Sequence, residues 1–112
     1  MESTRQKKIS RLIQKDLAGI LQKEGARLFP GQMITVTDVK VSADLGVAKV
    51  AVSAFPEKDK EEFLEKLKES QKEIRYALGK LARHQLRIIP ELIFYIDDSL
   101  NRMDEIDQLL KS

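Results

Sequence analysis

Ile9, Leu12, Ile13, Leu17, Ile20 and Leu21 return every three or four residues along positions 4–24. That spacing lines one face of an α-helix. It puts Lys7, Lys8, Arg11 and Lys15 on the opposite face. Ser3 or Thr4 is placed to cap the start. Gly25 is expected to stop the helix, since glycine readily takes the left-handed conformation that follows a helix end. Phe29-Pro30-Gly31 then reads as a loop.

The period changes next. Residues 34–42 are rich in β-branched side chains and predict a strand. Its alternation slips, because Ile34 and Val36 share one phase and Val39 and Val41 the other. A slip of that kind marks a bulge or a strand covered on both sides. Turn residues occupy 42–46, and a second strand follows over 47–55, with Ala48, Val50, Val52 and Ala54 on one face and Lys49, Ala51 and Ser53 on the other. The short link makes the pair an antiparallel hairpin. Pro56 ends it, and Asp59 or a neighbour begins a second helix with acids in its first turn, where the helix dipole favours them.

That second helix carries the apolar stripe Phe63, Leu67, Ile74, Leu78 and Leu81. Lys68, Lys72, Arg75, Lys80, Arg83 and Arg87 fall on the other half of a straight helical wheel. Gly79 interrupts it, yet Leu81, Ala82 and Leu86 continue an apolar pattern beyond. A merely tolerated glycine costs about 0.5–1 kcal/mol relative to alanine. A kink at Gly79 that re-aims Lys80, Arg83 and Arg87 is therefore expected. Pro90 closes the helical region, 92–97 is a third strand, and Asp98 or Ser99 caps a last helix with the stripe Leu100, Met103, Ile106 and Leu110. The order α-β-β-α-β-α predicts an α+β domain, with helices packed on a small mixed sheet.

Composition narrows the function classes. A chain of 112 residues fits one domain, 1–112. It contains no cysteine, so disulfides, thiolate metal sites and cysteine nucleophiles are excluded. The longest apolar run, Leu92 to Ile96, is far too short to span a bilayer, and the basic N-terminus is followed by no apolar segment. A soluble cytoplasmic protein is the expectation.

The net charge of +2 hides a strong asymmetry. Residues 1–27 hold Arg5, Lys7, Lys8, Arg11, Lys15, Lys23 and Arg27 against Glu2, Asp16 and Glu24. Residues 72–90 hold Lys72, Arg75, Lys80, Arg83 and Arg87 against Glu73 alone, whereas 91–112 are acidic. Two separated basic segments suggest a polyanionic partner on one side of the molecule. Ordinary solvation looks different here, as the mixed signs of 57–71 illustrate.

Other chemistry is thin. His84 is the only histidine, and nothing in the pattern brings it to Asp97 or Asp98, so it reads as a surface residue in a basic helix. The acidic stretch "DDSLNRMDEID" lacks the spacing of a calcium loop and reads as a helix cap plus a solvated face. Phosphate-binding loops, dinucleotide fingerprints and nucleophile elbows are absent, and no cofactor or metal is expected. Nucleic acid fits best, because phosphate contacts need several Lys and Arg on one surface. With four phenylalanines, two tyrosines and no tryptophan, of which Phe63 and Phe94 take core positions, base stacking is not expected. Backbone and shape contact with structured RNA is. The competing classes are a protein-interaction module built on the acidic C-terminal helix and a small α/β enzyme around His84 and Asp97.

The blocks "RQKKISRLIQKDLAGIL", "ITVTDVKVSADLGVAKVAVS", "ALG" and "LRIIPELIFYIDDSL", in that order, resemble the bacterial ribosome-binding factor A family over nearly the whole chain. The resemblance implies a KH-like (type II) domain in a monomeric, non-enzymatic factor without a cofactor. It implies binding to the immature 30S ribosomal subunit, near the 5′-terminal helix and decoding region of 16S rRNA. Late maturation, rRNA processing, cold adaptation and release aided by an assembly GTPase belong to the same expectation. KH domains that clamp single strands use a Gly-x-x-Gly loop, and none occurs here. In the family an Ala-x-Gly kink takes its place, matched by Ala77-Leu78-Gly79. The expected RNA contacts are Arg5, Lys7, Lys8, Arg11 and Lys15 on the first helix, with Lys72, Arg75, Lys80, Arg83 and Arg87 on and after the second.

Overall fold

The computed structural model describes residues 2–56 and 59–97. The expected C-terminal helix, with its cap at Asp98 or Ser99, lies outside the described residues.

The first helix, α1, spans Thr4–Leu28. Ser3 caps it reciprocally: its hydroxyl accepts from the Gln6 backbone N–H at 3.2 Å, and the Gln6 side-chain oxygen accepts from the Ser3 N–H at 2.8 Å. Ile13, Leu17, Ile20 and Leu21 are buried, as the periodicity requires. The stop at Gly25 is not observed. The helix continues one further turn, and the Phe29 N–H closes it on the Gly25 carbonyl at 2.7 Å. The reason is packing. Phe29 is buried with its ring centroid 4.6 Å from that of Phe63, and carrying the helix on delivers it there. The left-handed glycine is Gly31, at φ 80°, in the following loop.

Strands β1 (Met33–Val41) and β2 (Val47–Phe55) form the antiparallel hairpin. Val36 pairs with Val52 and Asp38 with Ala51, so Thr37 is the extra residue of a bulge. The bulge explains the slipped alternation: it returns Val39 and Val41 to the buried face already occupied by Val36. Thr37 donates its hydroxyl to Asp97 at 2.7 Å. At the hairpin turn Leu45 sits at φ 62°, and Asp44 accepts from the Ser42 hydroxyl at 2.6 Å and the Gly46 N–H at 3.0 Å. Strand β3 (Glu91–Ile96) adds parallel to β2, giving the order β1-β2-β3. Ala51 and Ser53, which share the β2 face of Lys49, are buried; Ala51 is small and sits in register between Asp38 and Tyr95.

The crossover contains two helices, α2 (Lys60–Glu69) and α3 (Gln71–Ala82). Asp59 caps α2, accepting from the Glu61 and Glu62 N–H groups at 3.0 and 3.2 Å. The expected kink over Ala77-Leu78-Gly79 is corrected: α3 runs through those residues, and the break is at Ser70, with φ −89° and ψ 1°. Ser70 stays hydrogen-bonded on both sides, donating to Lys66 and accepting from Ile74, each at 3.0 Å. The chain turns there because α2 packs on β3 whereas α3 packs on α1. A small side chain buried at that corner lets both helices reach the core. The apolar stripe shifts with it. Leu81 is 58% exposed, and Ala82 and Leu86 are the residues that face inward.

Helices and one face of the sheet enclose the core, with Val50, Val52, Leu92, Leu17, Leu67 and Leu78 at its centre. The opposite sheet face shows Thr35, Lys40, Lys49, Ile93 and Tyr95 to solvent. The architecture is α+β and agrees with the KH-like expectation.

Candidate nucleic-acid interface

Lys72, Tyr76 and Lys80 lie four residues apart on α3, so a helix stacks them in one row. Lys68, at the end of α2, and Arg83, one residue past α3, extend the row. These side chains, with Arg75, border an open groove of about 1160 Å³ whose other wall is Ile89 and Glu91. Gly79 also lines it. Of the expected RNA contacts, Lys72, Arg75, Lys80 and Arg83 are therefore brought together. Arg87 is exposed but does not line the groove. The helix ends at Ala82, so the wheel that grouped Arg87 with the others does not apply to it.

Arg75 also has a structural duty. Its guanidinium donates to the Ile89 carbonyl at 2.7 Å and the Pro90 carbonyl at 3.2 Å. Gln71 donates to the Leu92 carbonyl beside it. Both hold the entry to β3 against α3. A guanidinium carries five N–H donors, so Arg75 retains others for a phosphate.

Within the groove the five cations face one lining acid, Glu91. Glu73, the one acid of 72–90, binds Arg27 of α1 at 3.0 Å. Arg27 is held above its ordinary pKa, first by its hydrogen bond to Glu24 and then by that to Glu73. Among the described residues Lys72 makes no ion pair, and Lys80 rests its ammonium 4.8 Å from the centre of the Tyr76 ring. On α1, Arg5, Lys7, Lys8, Arg11 and Lys15 are exposed and likewise unpaired among the described residues. Lys7 meets Lys40 of β1 across a shallow pocket, and Lys40 stands directly opposite Lys49 in the sheet register. Lys40, Lys49, Lys68 and Tyr76 were not singled out by sequence reasoning as contacts. Lys68 had a signal, its place on the polar half of the wheel. The lysines of the hairpin had none, since cross-strand register is not written in local spacing.

His84 is exposed, and its Nε2 accepts from Arg83 at 3.3 Å, while Asp97 is engaged by Thr37. The structure does not join them. Among the described residues no His, Cys, Asp and Glu side chains cluster to hold a metal, and no helix is long and apolar enough to cross a membrane. Most of the acidic stretch lies outside the described residues.

The family model for ribosome-binding factor A matches residues 5–110. The chain belongs to the ribosome-binding factor A family. Ribosome-binding factor A of Christiangramia forsetii is 45% identical over 113 residues, covering 98% of this chain and 85% of that protein. The Chlorobaculum tepidum member is 44% identical over 111 residues, covering 98% and 91%. Among solved structures, the Thermus thermophilus crystal structure superposes with a TM-score of 0.67 at 28% identity, covering 81% of this chain and 94% of that one. A Thermus thermophilus ribosome-binding factor A model fitted into a cryo-EM map of a 30S complex gives 0.61 at 31% identity, covering 78% and 89%.

Proposed function

We propose that this protein binds the 30S ribosomal subunit by gripping the phosphates of its 16S rRNA. The observation that carries the reading is the α3 groove, where Lys68, Lys72, Arg75, Lys80 and Arg83 converge against a single lining acid, Glu91, while the neighbouring Glu73 is taken up by Arg27. Each cation brought to a phosphate releases condensed counterions, and the gain is additive along the row. The similarity to a factor fitted into a 30S complex supports the same partner. The exposed stripe of α1 supplies a second set of contacts, and the hydrogen-bonded sheet beneath keeps the spacing of both rigid.

The finer reading is a monomeric cytoplasmic domain without catalytic activity. It engages the immature subunit near the 5′-terminal helix and decoding region, favours one rRNA fold late in maturation and processing, and blocks premature use of the particle. A role in cold adaptation and release by an assembly GTPase belong to that reading. The test is the combined reversal of Lys80, Arg83 and Arg87 to Glu. Co-sedimentation with free small subunits should be lost while the circular-dichroism melt changes little, since all three are exposed. Unchanged co-sedimentation sinks the proposal.

A further inference from the structure

Tyr76 is 68% exposed in the middle of a row of cations. A solvated helix face has no use for a ring there. Phosphate binding has none either. What surrounds the ring is specific: Lys80 stands over it, and Gly79 and Ile89 line the same groove. Gly79 is in ordinary right-handed helix, so backbone conformation does not demand glycine. Nor does close packing, since an added Cβ would meet Ile89 Cγ1 at 3.6 Å, an ordinary contact. What the missing side chain does is keep bulk out of the groove at that position of its lining. The groove thus holds an exposed ring, a glycine and an aliphatic side chain among five cations and one acid, Glu91.

An exposed aromatic ring among cations matches a nucleobase attached to its phosphates. We propose that Tyr76 stacks on an unpaired base, and that the α3 groove selects single-stranded or looped RNA over uninterrupted duplex. This rests on the groove being an RNA site. A duplex offers its phosphates but keeps its base faces stacked inside. A single strand offers both, and aromatic stacking is tolerant of base identity. Among the described residues the ammonium of Lys80 is held by the ring, a weak hold at an exposed site. An incoming base displaces it toward the flanking phosphate.

The chain has two tyrosines and no tryptophan, so Tyr95→Phe leaves Tyr76 as its sole tyrosine emitter. Tyr95 sits on the opposite sheet face, away from the groove. Titration of that variant with a single-stranded oligouridylate of about ten nucleotides, a length within one binding groove, should quench Tyr76 emission. Tyr76→Ala should weaken that binding about tenfold, in keeping with loss of one stacked base, and leave binding of an equally long RNA duplex nearly unchanged. Tyr76→Phe should bind as the parent does. If Tyr76→Ala affects neither RNA, or both equally, while reversal of Lys80, Arg83 and Arg87 weakens both, stacking is refuted and the phosphate site stands. If the reversal weakens neither RNA, the groove is not an RNA site and both readings fall.

Discussion

Gly79→Ala is the sharpest structural test. Gly79 is interior to α3, and glycine there is less favourable than alanine by about 0.8–1 kcal/mol. The new methyl group would be half-buried, 3.6 Å from Ile89 Cγ1, and adds a fraction of the roughly 0.8 kcal/mol that a fully buried CH₂ contributes. The expected net gain is about 1 kcal/mol, or ~5 °C in melting temperature for a domain of this size. Gly19→Ala is the internal standard. Gly19 is exposed in α1, and nothing lies within 4 Å of its absent Cβ, so it reports helix propensity alone. Urea unfolding followed by circular dichroism should raise the midpoint of both variants without changing the slope. A Gly79→Ala midpoint below the parent's, with Gly19→Ala raised, would show that Gly79 holds a backbone that alanine resists. The continuous α3 would then be wrong and the kink restored.

Leu78→Ala removes a fully buried side chain at the centre of the core and should cost about 2–5 kcal/mol, read from the same urea curves. Arg75→Ala removes both hydrogen bonds to the Ile89 and Pro90 carbonyls, and should destabilise by about 1 kcal/mol as well as weaken RNA binding. Arg75→Lys should recover the charge but not the paired geometry, so RNA affinity should return further than stability does. The Asp44 carboxyl lies below the usual carboxylate range, held there by the Ser42 hydroxyl first and the Gly46 N–H second. Its contribution to the hairpin turn is present above the ordinary aspartate value of about 4 and is lost as pH falls through the lower folded value. Asp44→Asn should therefore be least different from the parent at the acid end of a pH series of urea midpoints.

Much of the fold is written in local pattern. The helical period of Ile13, Leu17 and Leu21, the β-branched runs, the Asp59 cap and the slipped valines that announce the Thr37 bulge all act between near neighbours. A reader of the chain recovers them because sterics and hydrogen bonding at those positions depend on a few adjacent residues. The cations of the candidate site are equally visible, as a charge imbalance confined to two segments.

Where helices end and turn is decided elsewhere. Gly25 and Gly79 have the same intrinsic freedom as Gly31, yet only Gly31 takes the left-handed conformation. Gly25 stays helical because Phe29 must be carried to Phe63, and Gly79 because the corner between β3 and α1 is turned at Ser70 instead. The same corner sends Leu81 outward and Ala82 inward and sets Lys68 in line with Lys72 and Tyr76. It also leaves Arg75 divided between carbonyls and groove. Composition and spacing supply the charges. Long-range packing supplies the groove, because burying a side chain contributes more than a glycine's preference for one backbone region over another.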